Sequence, residues 1–366
     1  MAAVNKKTSR SIYEVARAAG VSSSTVSRVL GGRAELVASA TRERVMAAAQ
    51  TLGYRPNRMA RGLATGRSNI VGVLVHDIRN RQLAQVLRGI DQAARQLGIL
   101  TMLCNTDYDA ARATEYLAML DDHQVAGVVL TGQDYAGKGD GSRFKEQIER
   151  MTGRGIVAVG VGESTSQALR VSLHNRRLGR QLADHLLDLG HRRFAFVRVE
   201  PSLRALDNRE RGFRDAVAAR GLPADRVVIR SATRSLAGGA AAAVELLDSG
   251  VDFTAVVGAT DEIAAGCHLG LTRRGIHVPQ DVSIAGWGDS EMSDLLGHRL
   301  TTVETPMFQL GVGAIHLLVQ ALDGSPRRRH VVVDAELVVG ESTGPASGRP
   351  TKRRDGVRLA AQLNGR

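Results

Sequence analysis

The stretch Ser11–Gly32, SIYEVARAAGVSSSTVSRVLGG, decides how this chain begins. Ser11 followed three residues later by Glu14 is a capping box, a helix-start signature in which each side chain satisfies the other's backbone N–H. Ile12, Val15, Ala16 and Ala19 then fall on one helical face. Gly20 ends that helix, and the small Ala19 lets a second helix pack close. Ser22 suits the N-cap of the second helix. Its Val26, Val29 and Leu30 recur at helical spacing and predict a buried stripe, leaving Ser23, Ser24, Ser27 and Arg28 on the outer side. A third helix is expected over Thr41–Leu52, capped by Ser39 because Ala38 has no capping oxygen. A small polar face carrying one arginine can enter a DNA major groove and reach base edges. An ordinary helical hairpin shares the shape, so charge and context must separate the two.

The charge is concentrated at the ends. Of the formal net charge of +12 over 366 residues, residues 1–67 supply twelve basic against three acidic side chains, and residues 345–366 supply six against one. The middle is close to neutral. Basic segments attract polyanions by displacing counterions from phosphates. Aromatic residues are only 3%, so aliphatic side chains must fill the core. Cys104 and Cys267 lie far apart, which excludes a disulfide framework and zinc-ligand spacing. The N-terminus has no apolar stretch behind its lysines, and no run approaches the roughly 18 apolar residues that span a bilayer. These features predict a cytoplasmic protein without a membrane partner, and no cofactor motif is present.

Beyond residue 69 the pattern changes. Apolar runs recur at IVGVLV (70–75), LTMLC (100–104), VAGVVL (125–130), IVAVGV (156–161), RFAFVRV (193–199), RVVI (226–229), TAVVGA (254–259) and VSIAGW (282–287). Amphipathic stretches such as LAQVLRGIDQAARQLG and RLGRQLADHLLDLG separate them. Such alternation implies parallel sheets covered by helices on both faces. Eight strands suggest two α/β lobes with a ligand crevice at the carboxyl ends of the strands. The expected organisation is a helix-turn-helix head over 1–55, a hinge over 56–68, a two-lobed sensing and dimerising domain over 69–344, and a flexible basic tail over 345–366.

The 11–32 stretch resembles the N-terminal signature of the LacI family of bacterial repressors, almost unbroken from Ile12 to Leu30. The resemblance continues through RRLGRQLADHLLDLGHRRFAFV (176–197), ATDEIAAG (259–266), GIHVPQDVSIAGW (275–287), LTTVETP (300–306) and ELVVGESTG (336–344). It implies a fold like that of two-lobed periplasmic sugar-binding proteins, joined to an all-α DNA-binding head. By that match Ser23, Ser24 and Arg28 read bases, while Ser22, Thr25 and Ser27 mostly contact phosphates. The stretch YRPNRMARGLATGRS (54–68) reads from its residues alone as a basic linker, with a helical segment too short to be stable in water. It resembles the family's hinge helix, which folds in the minor groove at the dimer axis. Leu63 would then be the wedge between central base pairs, Ala60 would pack beside it, and Asn57 and Arg61 would lie near backbone or groove. The implied partners are a double-stranded operator, a second copy of the chain or a higher assembly, and a small-molecule effector.

The implied effector residues are Asn80, His174, Arg209, Thr260, Asp261 and Asp289. Several depart from the family pattern. Thr260 stands where an asparagine is usual, His174 replaces an acid, and Gly288 replaces an acid that binds sugar hydroxyls, leaving Asp289 alone. Arg81-Gln82-Leu83 follow Asn80 in place of proline and aromatics. SATRSLAGG (231–239) lacks an aromatic often found there. Lost carboxylates shift the balance toward positive charge, which suits an anionic, sugar-related effector bound by guanidinium groups. A neutral molecule held through backbone and waters, or no ligand, stays open here. So do an internal salt bridge for Arg209 and a lining role without ligand contact for His174. An enzyme is disfavoured: Ser342 in GESTG fits a nucleophile elbow, but that fold needs a histidine after the serine, and the last one is His330.

Overall fold

A computed structural model describes residues 11–30, 37–54, 68–132, 141–163, 169–200, 203–288, 297, 299–324 and 326–347. The chain divides into two compact units, Met1–Asn69 and Ile70–Arg366.

In the first unit, α1 (Ile12–Ala19), α2 (Ser23–Leu30) and α3 (Ser39–Thr51) share one small core of Val15, Ala16, Ala19, Val26, Val29, Val45 and Ala49. Both arms of the capping box form: Ser11 N–H donates to Glu14 Oε2 at 2.8 Å, and Glu14 N–H donates to Ser11 Oγ at 3.4 Å. Gly20 closes α1 with φ of 64°, a left-handed conformation that glycine adopts without penalty. The expectation for α3 needs correcting. Ser39 is its first helical residue rather than its cap, and Ala38 holds the N-cap position with no side-chain bond. Only the Ala38 carbonyl contributes there, accepting from the N–H groups of Thr41 and Arg42, both at 3.0 Å.

In the second unit, one lobe begins with β1 (Ile70–Val75), α4 (Arg81–Gln96), β2 (Leu100–Asn105), α5 (Ala110–Asp122), β3 (Gly127–Thr131), α6 (Gly141–Gly153), β4 (Val157–Val161) and β5 (Leu169–Ser172). After α7 (Asn175–Asp188), the other lobe holds β6 (Phe194–Glu200), α8 (Arg204–Ala219), β7 (Val227–Thr233), α9 (Leu236–Asp248), β8 (Ala255–Gly258), α10 (Asp261–Arg273), β9 (Ser283–Trp287) and β10 (Thr301–Val303). Then come α11 (Met307–Leu322), β11 (His330–Val332) and β12 (Leu337–Val338). The first sheet runs β11-β5-β4-β3-β1-β2, parallel throughout. The second runs β12-β10-β9-β8-β6-β7, with only β12 antiparallel.

All eight apolar runs of the sequence are strands. The four further ones, β5, β10, β11 and β12, are short and owe their conformation to pairing with distant neighbours. The chain therefore passes between the lobes three times: between β5 and α7, between β10 and α11, and between β11 and β12. Residues 345–347, expected in the tail, belong to this body: Ala346 N–H donates to the Leu189 carbonyl at 2.9 Å and Ser347 Oγ to that of Asp281 at 2.9 Å.

Glycines set how closely the helices pair. A Cβ on Gly179 of α7 would lie 2.2 Å from the Arg209 carbonyl of α8, and one on Gly212 of α8 would lie 2.0 Å from the Arg176 carbonyl of α7. The same reciprocal arrangement joins α4 to α11 through Gly89 and Gly311, and α9 to α10 through Gly239 and Gly266. Backbone blocks each site, so no side-chain rotamer can make room. Gly212→Ala should therefore cost about 1–3 kcal/mol of stability, read as a lowered Tm. Gly153→Ala, where an added methyl meets nothing within 4 Å, should cost little.

Candidate functional site

The outer face of α2 is built by the cap and the stripe beneath it. Ser22 Oγ accepts from Thr25 N–H at 3.1 Å and shares hydrogen bonds with Ser24 Oγ at 2.7 Å and Thr25 Oγ1 at 2.9 Å. Val26 and Val29 are buried, which turns Ser24, Ser27 and Arg28 to solvent and leaves Ser23 and Thr25 half-buried. Of the six sequence-nominated residues, Ser22 at the cap and five on the helix, none is buried. Asn57, Ala60, Arg61 and Leu63 lie outside the described residues.

The second site forms where the carboxyl ends of both sheets converge. Arg209, on α8, is 4% exposed. Its Nε donates to Asn175 Oδ1 at 3.0 Å and its Nη1 to the Ala259 carbonyl at 2.9 Å. Its guanidinium carbon lies 4.7 Å from the centroid of the Trp287 ring, a cation–π arrangement. Both hydrogen-bond acceptors are neutral. Burial is the main cause that lowers the Arg209 pKa to about 9, with the nearby Arg234 charge adding to it and Glu163 and Asp261 opposing it. Arg209 thus remains a cation at neutral pH without a direct ion pair among the described residues. The internal salt bridge considered from sequence is not what holds it.

Glu163 instead braces the frame. Its Oε1 accepts from Asn175 N–H at 3.3 Å and Nδ2 at 3.2 Å, and its Oε2 accepts from Asn208 Nδ2. Thr260 caps α10, accepting from Ile263 N–H at 3.3 Å, and Asp261 Oδ1 accepts from Thr302 Oγ1 at 2.6 Å. Asn80 caps α4, accepting from Gln82 N–H at 3.0 Å. From the first lobe Gln82 reaches the second: a Cβ on Gly288 would lie 2.7 Å from Gln82 Nε2 and 3.3 Å from Asp261 Oδ2. Of the nominated residues, Arg209, Thr260 and Asp261 therefore converge beside the cap formed by Asn80. His174 does not share this burial: it is exposed at the start of α7, and its charge is felt by His330. Asp289 lies outside the described residues.

Sequence reasoning missed the other half of the crevice. His76 directly follows β1, and its Nδ1 lies 3.2 Å from the Thr131 carbonyl. Its ring is 4.8 Å from that of Tyr108, which sits with φ of 62° just after β2. Asp107 before it has φ of 49°, so two consecutive non-glycine residues adopt a left-handed backbone, a strained arrangement that clusters at binding sites. Arg234, directly after β7, is felt electrostatically by His76 and Tyr108 in one lobe and by Arg209 in the other. One signal could have found these residues: each stands one to three positions past the end of a strand, where open α/β sheets bind ligands. Ser342, by contrast, is fully buried and structural: its Oγ donates to the Ile284 carbonyl at 2.6 Å and accepts from Thr301 N–H at 2.8 Å. Among the described residues no group of side chains could hold a metal ion, and no helix is long and apolar enough to cross a membrane.

A helix-turn-helix head on a two-lobed, sensor-like body defines a DNA-binding transcriptional regulator. Comparison agrees: residues 11–57 match bacterial regulatory proteins of the lacI family and residues 183–343 a periplasmic binding protein-like domain. The HTH-type transcriptional regulator DegA of Bacillus subtilis (strain 168) is 31% identical over 91% of this chain and 98% of its own. A LacI-family transcriptional regulator from Silicibacter pomeroyi superposes with a TM-score of 0.73 at 27% identity, covering 92% of this chain and 99% of its own. A LacI-family regulator from Enterococcus faecium with bound ribose gives 0.66 at 28%, covering 76% and 100%. The chain belongs to the lacI family of bacterial regulatory proteins.

Gly288 explains one departure from the family pattern. Its φ of 143° is unfavourable for any other residue, and the Gln82 amide and Asp261 fill the space beside it. Restoring an acid with Gly288→Asp should destabilise the protein by about 1–3 kcal/mol through backbone strain, with a further loss from crowding Asp261. Thermal unfolding checks this; a Tm equal to that of the unaltered protein would contradict it.

Proposed function

We propose that this regulator is a repressor that grips a pseudo-palindromic operator as a homodimer and is controlled by a small anionic molecule in its inter-lobe crevice. The observation that carries the reading is Arg209, a buried cation at the junction of the lobes whose hydrogen-bond partners among the described residues are neutral. A guanidinium without a direct ion pair among the described residues, at the carboxyl ends of two sheets, suits a carboxylate or phosphate. The bound ribose of the Enterococcus faecium relative supports a sugar-related ligand. For DNA, Ser23, Ser24 and Arg28 are the base-reading residues, Ser22, Thr25 and Ser27 the phosphate contacts, and Leu63, with Ala60, Asn57 and Arg61, the minor-groove hinge.

A second copy suits the surface. β2 is the outer edge of its sheet, and Leu100 and Leu103 on it are 60% and 53% exposed, with Leu97 just before it in sequence also exposed. An uncovered apolar edge is a liability that a partner removes. One head covers too few base pairs for specificity, and two heads related by a two-fold axis read two half-sites.

Footprinting should show two protected half-sites related by two-fold symmetry; protection of one asymmetric half-site would overturn the dimer. Arg28→Ala should weaken discrimination at one base position by about 1–3 kcal/mol. Equal loss across all operator variants would make Arg28 a phosphate contact instead. Leu63→Ala should abolish operator bending in a circular-permutation assay while leaving the fold intact.

A further inference from the structure

Two buried polar atoms beside the crevice lack a hydrogen-bond partner among the described residues: His76 Nε2 and Trp287 Nε1. They come from opposite lobes, His76 after β1 and Trp287 at the end of β9. Both side chains are almost completely buried, at 4% and 0% exposure. Such orphans mark places where something other than the protein supplies the partner.

Their chemistry is complementary. A carbonyl only accepts, so the His76 Nδ1 facing the Thr131 carbonyl carries the proton. In the neutral ring Nε2 is then a bare acceptor that needs a donor. Burial, aided by the Arg234 charge, keeps the ring neutral by lowering its pKa. The indole N–H of Trp287 is a donor that needs an acceptor. Arg234, half-buried, makes no hydrogen bond or ion pair among the described residues. Of the two carboxylates whose charge it feels, Glu262 and Asp77, neither bonds it directly, and Asp77 is already committed to Arg79, accepting its Nε at 2.9 Å and its Nη2 at 3.1 Å. Arg234 and Arg209 meanwhile repel one another, a cost that an anion between them removes.

We propose that His76 and Arg234 form a second subsite which, with Arg209 and Trp287, selects a hydroxy acid or hydroxy phosphate. A ligand hydroxyl donates to His76 Nε2, and anionic oxygens accept from the two guanidinium groups and from Trp287 Nε1. This rests on the reading that the crevice senses an anionic effector, and it adds that neither the anion nor the hydroxyl suffices alone.

The test is calorimetric titration of the full-length protein with D-gluconate, D-glycerate and D-glucose 6-phosphate, against sorbitol, ribose and hexanoate. At least one hydroxylated anion should bind, and hexanoate and the neutral compounds should not; gluconate and the sugar phosphate separate the two sources of negative charge. His76→Asn keeps a donor for Thr131 but loses the distal acceptor, and should weaken binding about tenfold. His76→Gln, which restores a polar atom at that position, should recover most of it. Arg234→Gln should cost about a hundredfold. Operator binding without ligand should be unchanged in all three variants. Should His76→Asn fail to fold, imidazole 15N shifts of the unaltered protein decide: the Nδ1–H tautomer with Nε2 responding to the bound acid is expected, and an unresponsive Nε2 overturns the subsite. Binding of an acid that is indifferent to His76 and Arg234 also overturns the subsite while sparing the anionic effector. Binding of ribose or sorbitol alone overturns both. Silence from every probe overturns both and removes the support for sensing.

Discussion

A close helix contact in the sensor, α7 against α8, carries the site. Gly179 and Gly212 each accept a backbone carbonyl of the other helix where any side chain would intrude. Because Arg209 is itself one of the residues in that contact, the approach of the helices fixes the root of its side chain. Asn175, at the first turn of α7, then meets the guanidinium at 3.0 Å. Glu163 holds Asn175 from β4, and Trp287 supports the guanidinium from β9. A cation this deeply buried is tolerable only if its donors are met, and the packing supplies neutral acceptors at fixed positions. Among the described residues no carboxylate touches the charge, while the geometry is settled before any ligand arrives.

The crevice is accordingly preorganised on rigid parts. Apart from Arg209, which lies inside α8, its residues sit within a few positions of strand ends or at helix starts, and two of the nominated ones, Asn80 and Thr260, spend their side-chain oxygens on capping helices. The left-handed backbone at Asp107 and Tyr108 brings an aromatic ring to His76, and Gly132, with φ of 59°, leaves room beside the imidazole. These devices come from segments widely separated in the chain. They act together only because both sheets present their carboxyl ends to one crevice.

That separation explains what the sequence could and could not disclose. The head was legible because its signals are local: the Ser11–Glu14 box, the Gly20 stop and the Val26–Val29 stripe each span no more than about one turn. The eight long strands were legible as apolar runs. The short ones were not, since LRV or HVV becomes a strand only by pairing with a neighbour far along the chain. Arg209 and Asp261 were found through family motifs. His76, Trp287 and Arg234 were not, because a histidine, a tryptophan or an arginine after a strand is unremarkable until the fold shows which others it faces. The missing cap on α3 was misjudged by one residue, a shift that helix periodicity is too coarse to detect.

The three passages between lobes bear on how the protein is made. The first sheet receives its β11 edge from residues 330–332, and the second receives β12 from residues 337–338, although most of both sheets is synthesised long before. His191, fully buried in the second lobe, has its Nδ1 2.8 Å from Thr254 Oγ1 and its Nε2 3.1 Å from the Gly344 carbonyl, near the end of the described chain. Neither lobe is complete while residues 330–344 are still inside the ribosome. The head, whose described helices share a core drawn from residues 12–54, is under no such constraint and can fold as soon as it emerges. A nascent chain thus carries a folded head ahead of an unfinished sensor until residues 330–344 have emerged.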